Sequence, residues 1–168
     1  FPFSQPTRSV LLLLKAAGVE FENHVVNIMA GEHKGEAFLK VNPAGFVPAI
    51  QDGDFTLAEG AAILEYIADS RGLANCYPTD LKERARVNHW LHWHHGALRR
   101  STTKILRPAI HKAPINDEEL QHFRNNLGFL NAHLANSTFV ASDAHPTIAD
   151  LMLIPELDQL TPAGFSLF

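Results

Sequence analysis

Three short motifs hold the residues whose types and placement could do chemistry. The first is Phe3-Ser4-Gln5-Pro6-Thr7-Arg8, directly before a run of good helix formers. A hydroxyl there lies beside unpaired N–H groups and the positive end of a helix dipole, where an anion is stabilised. Taken alone, Ser4 is equally an N-cap worth about 1 kcal/mol. The second is Val47-Pro48. Proline removes a ladder donor and belongs at an edge, a strand start or a bulge. Val47 therefore either borders a plain edge proline or offers its N–H and C=O to an extended peptide ligand by strand addition. The third is Glu59-Gly60 at a helix start, where outward N–H groups suit a carboxylate.

Further chemistry-bearing residues are weaker candidates. His89, His92 and His95 recur every three residues, but no acidic or cysteine partner is interleaved and His94 points elsewhere, so a solvated or inter-subunit face is the reading rather than a metal site. Trp90 and Trp93 are expected to pack. Cys76 is the only cysteine, which excludes an internal disulfide and a CxxC redox pair and favours a reducing, cytoplasmic setting.

The elements that must position these motifs change type along the chain. Residues 6–17 predict a helix stopped by Gly18, and residues 21–28 a short strand rich in Val, Ile and Phe. Residues 46–51 and 54–57 form a hairpin joined at Asp52-Gly53, with Val47-Pro48 inside its first arm. Helical spacing returns from Glu59 to Arg71, with Gly72 as the stop. The first part is thus α/β. Beyond Tyr77-Pro78 the pattern is helical throughout, which sets a domain boundary near residue 76. One long helix spans residues 81–105 and ends before Pro108. Another, over residues 118–134, carries a core stripe at Leu120, Phe123, Leu127, Leu130 and Leu134. Thr147 and Asp150 read as a variant capping box.

Composition narrows the class. With 46% hydrophobic and 19% charged residues the chain has enough apolar material for a packed core. A net charge of -4 argues against a nucleic-acid surface, which needs clustered Lys and Arg. No apolar run approaches the roughly 18 residues of a membrane span, and Phe1-Pro2-Phe3-Ser4 is no signal peptide.

In order, Ser-Gln-Pro-x-Arg, Asn-Pro-x-x-x-Val-Pro-Ala and Asp-Gly-Asp-Phe-Thr-Leu-x-Glu resemble the glutathione-binding half of the glutathione transferases, nearest the theta class. Tyr77-Pro78-x-Asp80-Leu81-x-x-Arg84, Leu98-Arg99-Arg100-Ser101 and Thr147-x-x-Asp150 extend the likeness over nearly the whole chain. The resemblance implies a thioredoxin-like α/β domain over residues 1–76 and an all-helical domain over residues 77–168. It also implies a homodimer, with glutathione as cosubstrate held between the domains, no metal, and a small hydrophobic electrophile as second substrate. By motif, Ser4 donates a hydrogen bond to the glutathione sulfur with Gln5 beside it. His33 and Lys34 lie near the glycyl carboxylate, and Val47, before a Pro48 the family keeps cis, pairs with the cysteinyl backbone. Glu59 meets the γ-glutamyl amino group, Gly60 lies at the γ-glutamyl carboxylate, and Arg99 reaches the electrophile side.

Two departures bear on this reading. The family usually has Ser after the glutamate, so Gly60 removes a hydroxyl donor and weakened glutathione affinity is expected; a non-catalytic dimerisation or scaffold module of the same fold is the competing reading. The family's first strand and last helices have no counterpart, so the natural protein is expected to extend beyond both ends.

Overall fold

The computed structural model describes residues 4–162 and 164–165. The chain divides into two compact units between Ala74 and Asn75.

In the first unit, helix α1 (Gln5–Ala16) begins at Ser4, whose extended backbone (φ −73°, ψ 116°) and side chain make it the N-cap. Pro6 in the first turn lacks an N–H that would have been unpaired anyway. Val10, Leu13 and Leu14 are buried while Leu12 and Lys15 face water, and α1 packs on helix α3 (Gly60–Ser70), whose Ile63, Leu64 and Ile67 are buried in turn. Between the two helices come a 3₁₀ turn (Glu32–Lys34), helix α2 (Glu36–Val41) and an antiparallel hairpin of β1 (Ala49–Asp52) and β2 (Phe55–Ala58).

The hairpin corrects the sequence reading by one residue. Asp52 pairs with Phe55, so the loop is Gly53-Asp54 rather than Asp52-Gly53, and only Gly53 has positive φ (62°), as a type II′ turn requires. Val47-Pro48 precedes β1 instead of lying inside it, which suits a residue with no N–H to give. Its peptide bond is cis. The strand expected over residues 21–28 is not formed: residues 21–27 have no ladder partner among the described residues, and Phe21 (39%) and Val25 (67%) remain exposed. High β-propensity expresses fit to a pleated, half-buried surface, and without a neighbouring strand it has nothing to act on.

The second unit is all-helical. Helix α4 (Leu81–Trp93) is capped by Asp80, whose carboxylate accepts from the Lys82 and Glu83 N–H groups at 2.9 and 3.0 Å. It runs through a π-helical turn (His94–Leu98) into helix α5 (Arg99–Ile110). The helix therefore continues past Pro108 instead of ending before it. Only two residues follow that proline in α5, and the Pro108 carbonyl accepts from Ala113 N–H at 2.9 Å, which closes the end. Helix α6 (Asp117–Leu134) starts at the Asn116 cap. Its stripe buries Phe123 and Leu130, leaves Leu120 and Leu127 partly covered, and ends in water, with Leu134 40% exposed one residue before the C-cap. Helix α7 (Ile148–Asp158) opens with the capping box of Thr147 and Asp150, and Asp150 additionally accepts from Val140 N–H at 2.9 Å. Trp90 is buried, with its ring 4.6 Å from His133 and 5.1 Å from Trp93.

Candidate functional site

Ser4 is half-buried at the N-terminus of α1. Its Oγ accepts from Thr7 N–H at 3.4 Å, a long contact, and no described acceptor takes its own proton. Gln5, next in sequence, is buried.

Asn42 brings two of the sequence motifs together. Its side chain accepts from Ala44 N–H (3.1 Å) and donates to the Phe46 carbonyl (2.8 Å), folding residues 42–46 into a tight turn ahead of Val47-Pro48. Lys34 reaches that turn from the 3₁₀ element: its ammonium donates to the Ala44 carbonyl at 3.2 Å and sits 4.8 Å from the Phe46 ring centroid. The approach requires glycine at 45. Its φ is +66°, and a Cβ there would lie 2.7 Å from Lys34 Nζ and 2.9 Å from the His33 carbonyl oxygen. The Nδ1 atom of His33 is buried with no hydrogen-bond partner. His33, Lys34 and Val47 thus belong to one local arrangement.

Glu59 stands just ahead of α3 with φ 71° and ψ 116°, a conformation that an L-residue with a side chain rarely adopts. Its side chain is exposed and caps nothing, so the backbone of this turn aims the carboxylate outward, while Gly60 is buried at the first helical position. Backbone outliers of this kind concentrate at ligand clamps. The other end of the hairpin is held by Asp52, which accepts from the Tyr66 hydroxyl at 2.9 Å and from Arg71 at 3.4 Å; the carboxylate hydrogen bond pushes the Tyr66 phenol up from its usual range.

Arg99 begins α5 in the second unit, and its Nη1 donates to Glu156 at 3.1 Å. Glu156 is fully buried, and its carboxylate is met by four donors. His94 Nε2 (3.2 Å) and Arg99 meet one oxygen; Thr102 Oγ1 and Gln159 Nε2 (2.8 Å) meet the other. Burial by itself would raise this carboxyl, but the His94 hydrogen bond, the Arg99 charge and the Thr102 hydroxyl together hold it below the ordinary carboxylate range. Burial pushes the Cys76 thiol up. His89, His92 and His95 are exposed, whereas His94 is buried on Glu156.

The relatives decide the family. Residues 1–69 match the glutathione S-transferase N-terminal domain. Glutathione S-transferase theta-1 of Homo sapiens is 36% identical across 98% of this chain and 73% of its own length. Theta-3 of Mus musculus matches at the same identity over the same shares. The chain belongs to the glutathione S-transferase family. Among solved members, the apo form of human T1-1 superposes with a TM-score of 0.86 at 36% identity, over 99% of this chain and 74% of that one. A delta-class transferase of Nilaparvata lugens superposes with 0.93 at 34% identity, over 99% and 79%. The thioredoxin-like unit with its small sheet and the helical second unit are those of this family.

Several residues of this glutathione S-transferase chain escaped the sequence reading. Asn42 was visible only as the start of Asn42-Pro43, a turn signal without a stated job. Glu156 carried a stronger signal: one acidic residue following Leu151-Met152-Leu153-Ile154-Pro155 must find partners if that face is buried.

Proposed function

We propose that this chain is a serine-type glutathione transferase, in which the Ser4 hydroxyl donates to the sulfur of bound glutathione and stabilises its thiolate. The observation that carries the reading is the half-buried Ser4 hydroxyl at the N-terminus of α1, with a proton to give and, among the described residues, only a 3.4 Å contact from Thr7. Gln5 lies beside the sulfur. His33 and Lys34 receive the glycyl carboxylate, and the unpartnered His33 Nδ1 supports a polar group arriving there. Val47 pairs with the cysteinyl backbone, Pro48 holding the segment extended. Glu59 takes the γ-glutamyl amino group and the Gly60 N–H its carboxylate, which fits a strained backbone that turns one charge outward at a helix start. Arg99 serves the electrophile, a small hydrophobic molecule, and the working form is a cytoplasmic homodimer.

The chemistry is the right size. A thiol of pKa about 8.5 is about 3% ionised at pH 7, and lowering it by about two units makes it about 75% thiolate, a gain of roughly 25-fold. Two units correspond to about 2.7 kcal/mol, within reach of a charged hydrogen bond of about 1.5–3 kcal/mol plus a helix-end contribution of about 0.3–1 kcal/mol. The thiolate then attacks an electrophilic carbon, and proximity supplies the rest.

The test is steady-state conjugation with Ser4→Ala. A fall in kcat of about tenfold or more at pH 7, with glutathione still binding, is the expected result, since the sulfur loses its charge-assisted donor. Unchanged kcat would remove the role given to Ser4, and no conjugation by the unaltered protein would place it among non-catalytic modules of this fold.

A further inference from the structure

We propose that Glu156 is a positioning residue that fixes the Arg99 guanidinium and balances its charge, so that the protein favours neutral electrophiles whose leaving group departs as an anion. The inference rests on the role given to Arg99 above and adds what holds that arginine and what it selects.

A carboxylate offers about four lone-pair directions. At Glu156 all four are used: Oε2 takes Arg99 Nη1 (3.1 Å) and His94 Nε2 (3.2 Å), and Oε1 takes Thr102 Oγ1 and Gln159 Nε2 (2.8 Å). The side chain of Glu156 is fully buried and that of Arg99 is 34% exposed. One end of the pair is therefore anchored in the helical core, and the other carries a cation to the surface of the unit. The π-helical turn immediately before Arg99 supports this arrangement. It buries both His94 and Leu98, so the imidazole and the guanidinium reach one oxygen from positions five residues apart. π-helical turns of this kind are frequent at functional sites. Burying a charge this deeply is costly unless fully paired, and a core that needed only packing would do as well with an apolar residue. What the carboxylate provides that a leucine would not is a fixed direction for Arg99.

Charge adds the second half. With Glu156 ionised beside it, Arg99 presents N–H donors while its net charge is largely compensated. Such a group does little for a substrate already anionic in the ground state, but it meets negative charge that develops during reaction. With a benzylic chloride, glutathione sulfur forms the C–S bond as the C–Cl bond breaks and the electron pair leaves on chloride. The donors of Arg99 would stabilise that departing charge.

The test uses the full protein, a neutral benzylic chloride and its ring-carboxylated, anionic counterpart, with Arg99→Ala, Glu156→Gln and the double variant. A carboxamide has one acceptor oxygen in place of two and cannot keep four donors. Glu156→Gln should therefore lower kcat/KM for the neutral chloride by about tenfold or more, as loss of a charge-assisted hydrogen bond does, while the glutathione Kd stays unchanged. Adding it to Arg99→Ala should cost no more than Arg99→Ala alone. With Arg99 uncompensated, the anionic substrate should lose less than the neutral one, a shift in preference that mere loosening of the core would not give. Losses that add fully in the double variant, or fall equally on both substrates, would overturn the role of Glu156 and leave that of Arg99 standing. No effect of Arg99→Ala on either substrate would instead remove the reading of Arg99 on which it rests. Should Glu156→Gln not fold, Glu156→Asp keeps the charge and retracts it. Its loss on the neutral chloride should likewise vanish in the Arg99→Ala background, and a persisting loss overturns the proposal.

Discussion

At the scale of single residues, the proposed glutathione site is built from groups that are individually ordinary and become specific through placement. A serine at a helix start is common; one that is half-buried, weakly engaged by Thr7 and ready to donate suits a thiolate. Gly60, the buried first residue of α3, has no side chain with which to meet the γ-glutamyl carboxylate in the proposed site. A hydroxyl there would add one hydrogen bond to a carboxylate, about 1.5–3 kcal/mol, so Gly60→Ser should tighten glutathione binding by roughly tenfold or more. Isothermal titration reads this directly, and an unchanged or weaker Kd would show that the γ-glutamyl carboxylate lies elsewhere. Cys76 gives an independent check on the packing of the second unit. Its thiol is raised by burial and is therefore mostly protonated at neutral pH. Iodoacetamide at pH 7 should label it more slowly than free cysteine; faster labelling would contradict the environment described.

At the scale of elements, the turn over residues 42–46 brings Lys34 and the His33 carbonyl against Gly45, just ahead of Val47-Pro48, the arrangement on which the proposed site depends. Gly45→Ala would force a side chain into positive φ and within 3 Å of Lys34 Nζ and the His33 carbonyl oxygen. Strain of about 1–2 kcal/mol from the backbone alone is expected, with glutathione affinity falling as the turn shifts. Chemical denaturation and binding on one sample would separate the two effects, and unchanged values for both would show the turn to be tolerant. This element also marks where legibility ended. The hairpin, α1, α3 and the Thr147 cap were readable because each carries a local signal: Gly at a positive φ, apolar spacing, or a hydroxyl three residues before an acid. The strand expected over residues 21–28 was misread because a strand is defined by its neighbour, and no local pattern supplies one. Glu156 and its donors were invisible as a set for the same reason, since positions 94, 99, 102 and 156 meet only through tertiary packing.

At the scale of the whole molecule, family membership explains why distant motifs belong together, and the apolar cores of the two units hold a few buried polar centres whose charge makes stability depend on pH. Glu156 is the clearest of them. Its folded pKa lies below the ordinary value of about 4.3, so it contributes stability that is fully present above that value and is lost as pH falls through the folded pKa. Native protein and Glu156→Gln should therefore differ most in unfolding free energy near neutral pH and converge on acidification below about pH 4. A gap that stays constant into acid would mean the carboxylate is not ionised in the folded state. No helix among the described residues is long and apolar enough to cross a membrane. The most direct test of serine-activated thiol chemistry is the thiolate absorbance of bound glutathione titrated against pH, in the unaltered protein and in Ser4→Ala. Ionisation well below that of free glutathione, returning toward the free value in the variant, is the expected result. An undisplaced titration in the unaltered protein, or one that Ser4→Ala leaves in place, would contradict it.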